Sequence, residues 1–183
     1  MELNKEEKKE EFYNNFFTND KDCRVHYTKS AYYPFWKELV SKLSHKRILE
    51  VGCGTGQLGN MLFDLGYKQY RGFDYSEVAI NIAKENCLEQ EFFVGDAYDK
   101  SNYVNYDIII STEVFEHLDD YKVLNNIDAG KELLIMVPRL DMEAHVRRFV
   151  NREDLLKRYD GLIDFNKVLY RGKRYWLING NKK

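Results

Sequence analysis

The stretch Ile48-Leu49-Glu50-Val51-Gly52-Cys53-Gly54-Thr55-Gly56-Gln57-Leu58-Gly59 decides the fold. It reads as a short buried strand that runs into a glycine turn and opens a helix. Closely spaced glycines let backbone approach a ligand, because no Cβ stands in the way. The helix beyond turns its unpaired N–H groups and its positive end back toward that ligand. Asp74 closes the next strand, 20 positions after Gly54, which is the spacing at which a doubly wound sheet sets a carboxylate on a ribose. The expected ligand is therefore a nucleoside-containing cofactor.

Outward from this stretch the chain alternates. Strands are predicted over 47–51, 70–74, 91–94, 107–111 and 133–137, the last stopped by Pro138. Helices are predicted over 56–65, ended by Gly66 as a left-handed cap, and from Ser76, whose side chain caps the helix with Glu77 in its first turn. Such alternation means βαβ units and a parallel sheet. The crossover from the third to the fourth strand is too short for a full helix. Asn151 caps a helix through about 159, and 162–170 and 175–178 form a hairpin around Arg171-Gly172-Lys173-Arg174. Before the first strand, 3–17 reads as a helix striped by Phe12, Phe16 and Tyr13, Phe17, and 19–22 as a polar hinge. A second helix follows, capped by Ser30 and carrying Pro34 in its first turn, with Phe35, Trp36, Leu39, Val40 and Leu43 on its apolar face. Tyr27, Tyr32 and Tyr33 there are candidates for ligand contact or plain packing. The expected organisation is a single domain over 1–183, with a helical cap over 1–45 and the sheet core over 46–183.

Composition narrows the class. The 183 residues are 44% hydrophobic and 32% charged, and the formal net charge of −2 gives no general pull toward nucleic acid or anionic membrane. No apolar run reaches the roughly 20 residues that span a bilayer, and no secretion signal is visible. Cys23, Cys53 and Cys87 lack metal spacing and read as reduced thiols of a cytoplasmic protein. With 14 tyrosines and 11 phenylalanines, an aromatic-lined pocket is available beside the core.

Two cofactors compete for the glycine loop. Gly54-Thr55-Gly56-Gln57-Leu58-Gly59 matches the dinucleotide fingerprint G-x-G-x-x-G. Against that, Gly52 and Cys53 already separate the strand from the first glycine of the match, and the strand ends in an acid, Glu50. The string Glu50-x-Gly52-x-Gly54-x-Gly56 resembles motif I of the class I S-adenosyl-L-methionine-dependent methyltransferases. After the fourth strand, Glu113-Val114-Phe115-Glu116-His117 resembles the E-V-x-E-H motif of many members, including the ubiquinone-biosynthesis O-methyltransferase-like group. Four such sites fall at strand ends between about 48 and 138. The resemblance implies an α/β, Rossmann-like, seven-stranded mixed sheet: five parallel strands plus a C-terminal hairpin with an antiparallel last strand, and helices on both faces. It implies that Gly52, Cys53, Gly54 and Gly56 wrap the methionine end of the cofactor while Glu50 orients the loop. It gives the ribose to Asp74, flanked by Phe73 and Tyr75 as adenine-packing candidates, and the adenine to Asp96 and the backbone N–H of Ala97. Thr112 and Glu113 complete the expected cofactor set. The implied activity is methyl transfer to a hydroxyl or amine of a small-molecule acceptor. A nicotinamide enzyme and a ligand-free glycine turn are the alternatives.

An acceptor hydroxyl or amine needs a base. His117 is the first candidate and His145, after the fifth strand, the second; the alternative for His117 is a structural histidine holding its loop. The E-x-x-E-H run also resembles that of small-RNA 3′-terminal 2′-O-methyltransferases. That second resemblance implies a divalent metal on Glu113, Glu116, His117 and a downstream histidine. Here the downstream run is His145-Val146-Arg147-Arg148-Phe149 and lacks paired histidines, so the expectation is no metal, no nucleic acid and no membrane. A non-catalytic cofactor-binding accessory protein is the remaining class. Arg139, Arg147, Arg148 and Arg152 would steer an acidic substrate or form a solvated face balanced by Asp141, Glu143, Glu153 and Asp154. Oligomeric state is not legible in the sequence.

Overall fold

Ile108, Ile109 and Ile110 are all wholly buried because successive side chains of a strand point to opposite faces, and here both faces are covered. Ile108 and Ile110 enter one apolar layer with Trp36, Leu58, Met61 and Ile80; Ile109 enters the other with Val123, Leu124, Leu155 and Tyr159. The computed structural model describes residues 1–41, 43 and 46–183. The boundary expected between 45 and 46 therefore falls at His45, outside the described residues.

In chain order the elements are α1 (Glu10–Asn19), α2 (Tyr33–Leu39), β1 (Ile48–Val51), α3 (Gln57–Asp64), β2 (Tyr70–Asp74), α4 (Glu77–Asn86), β3 (Glu91–Val94), β4 (Ile108–Thr112), α5 (Asp120–Asn126), β5 (Glu132–Pro138), α6 (Arg152–Arg158), β6 (Ile163–Arg171) and β7 (Tyr175–Lys182). The sheet runs β3-β2-β1-β4-β5-β7-β6. The first five strands are parallel, and β7 inserts antiparallel between β5 and β6. This is the Rossmann-like mixed sheet expected from the sequence. The strand order reverses between β1 and β4, so the carboxyl ends of those strands flank the crevice where doubly wound sheets take ligands.

Local chemistry places the helices. Ser76 Oγ accepts from Ala79 N–H and Asn151 Oδ1 from Asp154 N–H, as their cap positions predict. Gly66 leaves α3 with φ +93°. The short β3–β4 crossover holds only a turn of 3-10 helix over Lys100–Asn102.

Two expectations need correction. Residues 3–9 are not helical: Glu2 bridges antiparallel to Arg147, Leu3 N–H donates to Val146 O at 2.9 Å, and Lys5 reaches Asp141 at 2.6 Å. Pairing with a distant segment overrides local helix propensity there. Ser30 does not cap α2; it ends a 3-10 turn over Tyr27–Lys29, and α2 begins after Tyr32 with Pro34 in its first turn, as expected.

Candidate active site

The glycine turn has the geometry that its composition demands. Gly52, Gly54 and Gly56 have φ of +71°, +52° and +75°, a region that costs an L-residue about 1–2 kcal/mol. At Gly52 a Cβ would lie 2.3 Å from Val114 Cγ2, so the residue is also required sterically. The loop therefore presents bare backbone at the β1 end, as a cofactor cradle requires.

Asp74 locks this cradle to β2. Its Oδ2 accepts from Gly54 N–H and its Oδ1 from Ser76 N–H, both at 2.9 Å. A carboxylate has about four lone-pair sites, so each oxygen keeps one for a ribose hydroxyl. Burial pushes the Asp74 pKa up, against the pull of the backbone N–H groups of Ser76 and Gly54. Glu50 sits beneath the loop, 2% exposed, and Tyr70 Oη donates to its Oε2 at 2.5 Å. Desolvation raises the Glu50 pKa to about 8, with Tyr70 pulling it down.

The remaining cofactor candidates fall at the same end of the sheet with different surroundings. Tyr75 is exposed, Asp96 Oδ1 accepts from Tyr98 N–H at 2.8 Å, and Ala97 and Thr112 are half-buried. Cys53 is buried in the core layer beneath the loop. Phe73 corrects its expectation: the strand alternation that brings Asp74 to the crevice turns Phe73 into the opposite layer, against Phe93 and Tyr103. It is not available to an adenine ring.

On the β4–β5 side, Glu113, Glu116, His117 and His145 converge. His117 Nδ1 lies 3.1 Å from Ala144 O, and His145 Nδ1 lies 3.0 Å from Leu140 O. A carbonyl can only accept, so both Nδ1 atoms carry the proton and both Nε2 lone pairs are free. The rings meet edge to face with centroids 4.9 Å apart. His117 Nε2 is 3.6 Å from Glu116 Oε1. Desolvation lowers the His117 pKa to about 4 and also lowers that of His145. Burial raises both Glu113 and Glu116, and the charge of Glu113 raises Glu116 further. One donor atom each from Glu116, His117 and His145 lies within 4.8 Å of the others, a grouping that fits a divalent cation.

Three residues have roles that the sequence reading did not give them. Arg147 faces no substrate: it is 5% exposed, and its Nη1 donates to the carbonyls of Phe115 and Leu118, pinning the 113–118 loop. Tyr13 of α1 stands edge-on to His117 with centroids 6.0 Å apart. Tyr175 opens β7 and faces Tyr32 at 6.0 Å. No local pattern marks any of them, because their partners lie far away in the chain. Of the other tyrosines, Tyr27 bonds Asp64 and packs on Tyr33. Helix α1 roofs the crevice: Phe17 lies about 3.5 Å from the position of a Cβ on Gly54, and Asn14 Oδ1 accepts from Ser76 Oγ at 2.6 Å.

Residues 48–130 match the family model described as a methyltransferase domain. That match covers 83 of the 183 residues and makes this stretch similar to that family. The domain is 30% identical over 89 residues to a ubiquinone biosynthesis O-methyltransferase of Burkholderia vietnamiensis, covering 45% of this chain and 38% of that protein. It is 36% identical over 85 residues to a malonyl-[acyl-carrier protein] O-methyltransferase of Bacillus anthracis, covering 44% and 32%. The chain thus spans well under half the length of these relatives. In fold it is similar to a TehB-like S-adenosylmethionine-dependent methyltransferase from Corynebacterium glutamicum, with TM-score 0.66, 20% identity, and 95% of this chain and 98% of that one covered. Among the described residues no helix is long and apolar enough to cross a membrane.

Proposed function

We propose that this protein is an enzyme that transfers a methyl group from S-adenosyl-L-methionine to a hydroxyl or amine of a small-molecule acceptor. The observation that carries this reading is the pairing of two half-sites at one sheet end. The glycine cradle clamped by Asp74 stands at the ends of β1 and β2, and two imidazoles with free Nε2 lone pairs stand in the loops after β4 and β5. The sulfonium supplies an already activated methyl group. The chain itself must position, desolvate and deprotonate. Gly52, Gly54 and Gly56 offer backbone to the methionine portion, Asp74 offers its spare lone pairs to the ribose, and Asp96 with Ala97 stands where the adenine edge is expected. His117 Nε2 takes the acceptor proton, and burial, which lowers its pKa to about 4, keeps the ring neutral at physiological pH. Tyr13 and Phe17 on α1 exclude water. The free thiols of Cys23, Cys53 and Cys87 agree with a reducing, cytoplasmic setting.

The test follows label from methyl-labelled S-adenosyl-L-methionine into an acceptor library. Transfer that His117→Ala abolishes while S-adenosylhomocysteine still binds supports the reading. Cofactor binding with no transfer to any acceptor would leave an accessory protein instead. The clustering of Glu116, His117 and His145 favours one second reading, a metal-dependent methyltransferase acting on an RNA 3′ end. Activity on RNA that disappears with EDTA and returns with Mn²⁺ would establish it.

A further inference from the structure

The chemistry just described leaves Glu113 and Glu116 without a task. Glu116 is 0% exposed and neither of its oxygens has a hydrogen-bond partner; Glu113 Oε1 is equally shut off and unpaired. Unsatisfied buried carboxylates cost several kcal/mol, so folding alone does not account for them. The guanidiniums of Arg174 and Arg147 act on them through charge, without a hydrogen bond among the described residues. Glu113 also sits at φ +60°, a strained value for a side chain of its size.

These acids face the acceptor half of the crevice. Glu113 N–H donates to Met136 O at 2.9 Å, which fixes the residue at the end of β5. Met136 registers with Leu177 on β7, and Tyr175 stands opposite Pro138, so Glu113 and Tyr175 share one end of the sheet. Tyr32 lies against Tyr175, and the charges of Glu113 and Glu116 reach both phenols. Tyr13, beside His117, closes the other side and also feels Glu116. The cradle residues adjoin this group at the ends of β1 and β2, where Gly52 meets Val114.

We propose that the acceptor is a small molecule bearing a primary ammonium group, held by the carboxylates of Glu113 and Glu116 beneath the rings of Tyr13, Tyr32 and Tyr175. The proposal rests on the methyltransferase reading and moves Glu113 from the cofactor to the acceptor. The three unpaired oxygens match the three N–H donors of an ammonium group, and aromatic faces favour a desolvated cation. A neutral alcohol supplies fewer donors and no charge. A divalent metal would draw on His117 and His145 and leave Glu113 outside its ligand cluster.

The test is calorimetric titration of the full chain saturated with S-adenosylhomocysteine. The probes are matched pairs: glucosamine with glucose, 2-phenylethylamine with 2-phenylethanol, and putrescine with 1,4-butanediol. At least one amine should bind roughly tenfold or more tightly than its neutral partner, the worth of charge-assisted hydrogen bonds. Glu113→Gln should erase that preference with S-adenosylhomocysteine affinity unchanged, and Glu113→Asp should restore part of it. Equal binding within every pair, or no amine binding at about 10 mM, a level that detects even millimolar affinity, overturns the proposal. So does Mn²⁺ that binds and excludes the amines. Failure of S-adenosylhomocysteine itself to bind is a separate result, and it strikes the methyltransferase reading.

Discussion

Glu50 makes stability depend on pH in a way that can be worked out. It is 2% exposed, and desolvation lifts its pKa to about 8 from the ordinary carboxyl value of 4.5. A carboxyl whose folded-state pKa is raised contributes fully below its unfolded pKa, and that contribution is lost as pH rises through the folded value. The losing window is therefore about pH 4.5 to 8. Each pH unit in it costs up to about 1.4 kcal/mol, so the rise from pH 6 to pH 8 should remove about 2 kcal/mol through this one residue. In a chain of this size that corresponds to roughly 4–8 °C of melting temperature. Glu50→Gln keeps the shape and an oxygen for Tyr70 but cannot ionise. Thermal melts of both proteins at pH 6, 7 and 8 decide the matter. The wild type should fall by about 2 kcal/mol more than the variant over that range. Parallel curves would refute the assignment of a protonated Glu50 beneath the glycine loop.

Other perturbations have equally definite outcomes. Gly52→Ala pushes a methyl group into Val114, so it should cost about 2–4 kcal/mol in a denaturant melt; adding Val114→Ala should relieve the overlap and leave about 1–2 kcal/mol of backbone strain. Asp120 is fully buried and accepts from Arg158 at 2.6 and 2.7 Å and from Tyr159 Oη at 2.8 Å. Asp120→Ala strands both partners and should destabilise by about 3–5 kcal/mol in the same assay. Helix α1 has no buried residue and lies over Gly54 through Phe17. Limited proteolysis within 5–24 should therefore slow when S-adenosylhomocysteine is added, and Asn14→Ala should speed it in the ligand-free protein. Because His117 is depressed to about 4, methyl transfer should hold level between pH 5 and 7, where an unperturbed imidazole would lose activity.

The sheet was legible because its signals are local. Tyr70–Asp74 and Glu91–Val94 carry continuous strand patterns, and Ser76 and Asn151 announce their helices within a single turn. The cradle was legible for the same reason, since Gly52, Gly54 and Gly56 encode positive φ directly in composition. What escaped depends on contacts across the chain. Residues 3–9 look helical but are held out of the helix by a strand bridge from Glu2 to Arg147. Arg147 looks like a surface charge but is buried to pin the carbonyls of Phe115 and Leu118. Phe73 sits next to Asp74 in sequence and on the opposite face of the sheet in space. The proposed acceptor half was least legible, because Tyr13, Tyr32, Glu116 and Tyr175 come from four separate segments.

The most direct measurement is the melting temperature with and without S-adenosylhomocysteine, with NADH as the control. Ligand at 100 times its dissociation constant adds about 2.7 kcal/mol, a rise of roughly 5–10 °C for a domain of this length. The account predicts that rise with S-adenosylhomocysteine, its loss in Asp74→Ala, and no response to NADH. A rise with NADH alone, or none with millimolar S-adenosylhomocysteine, would contradict it.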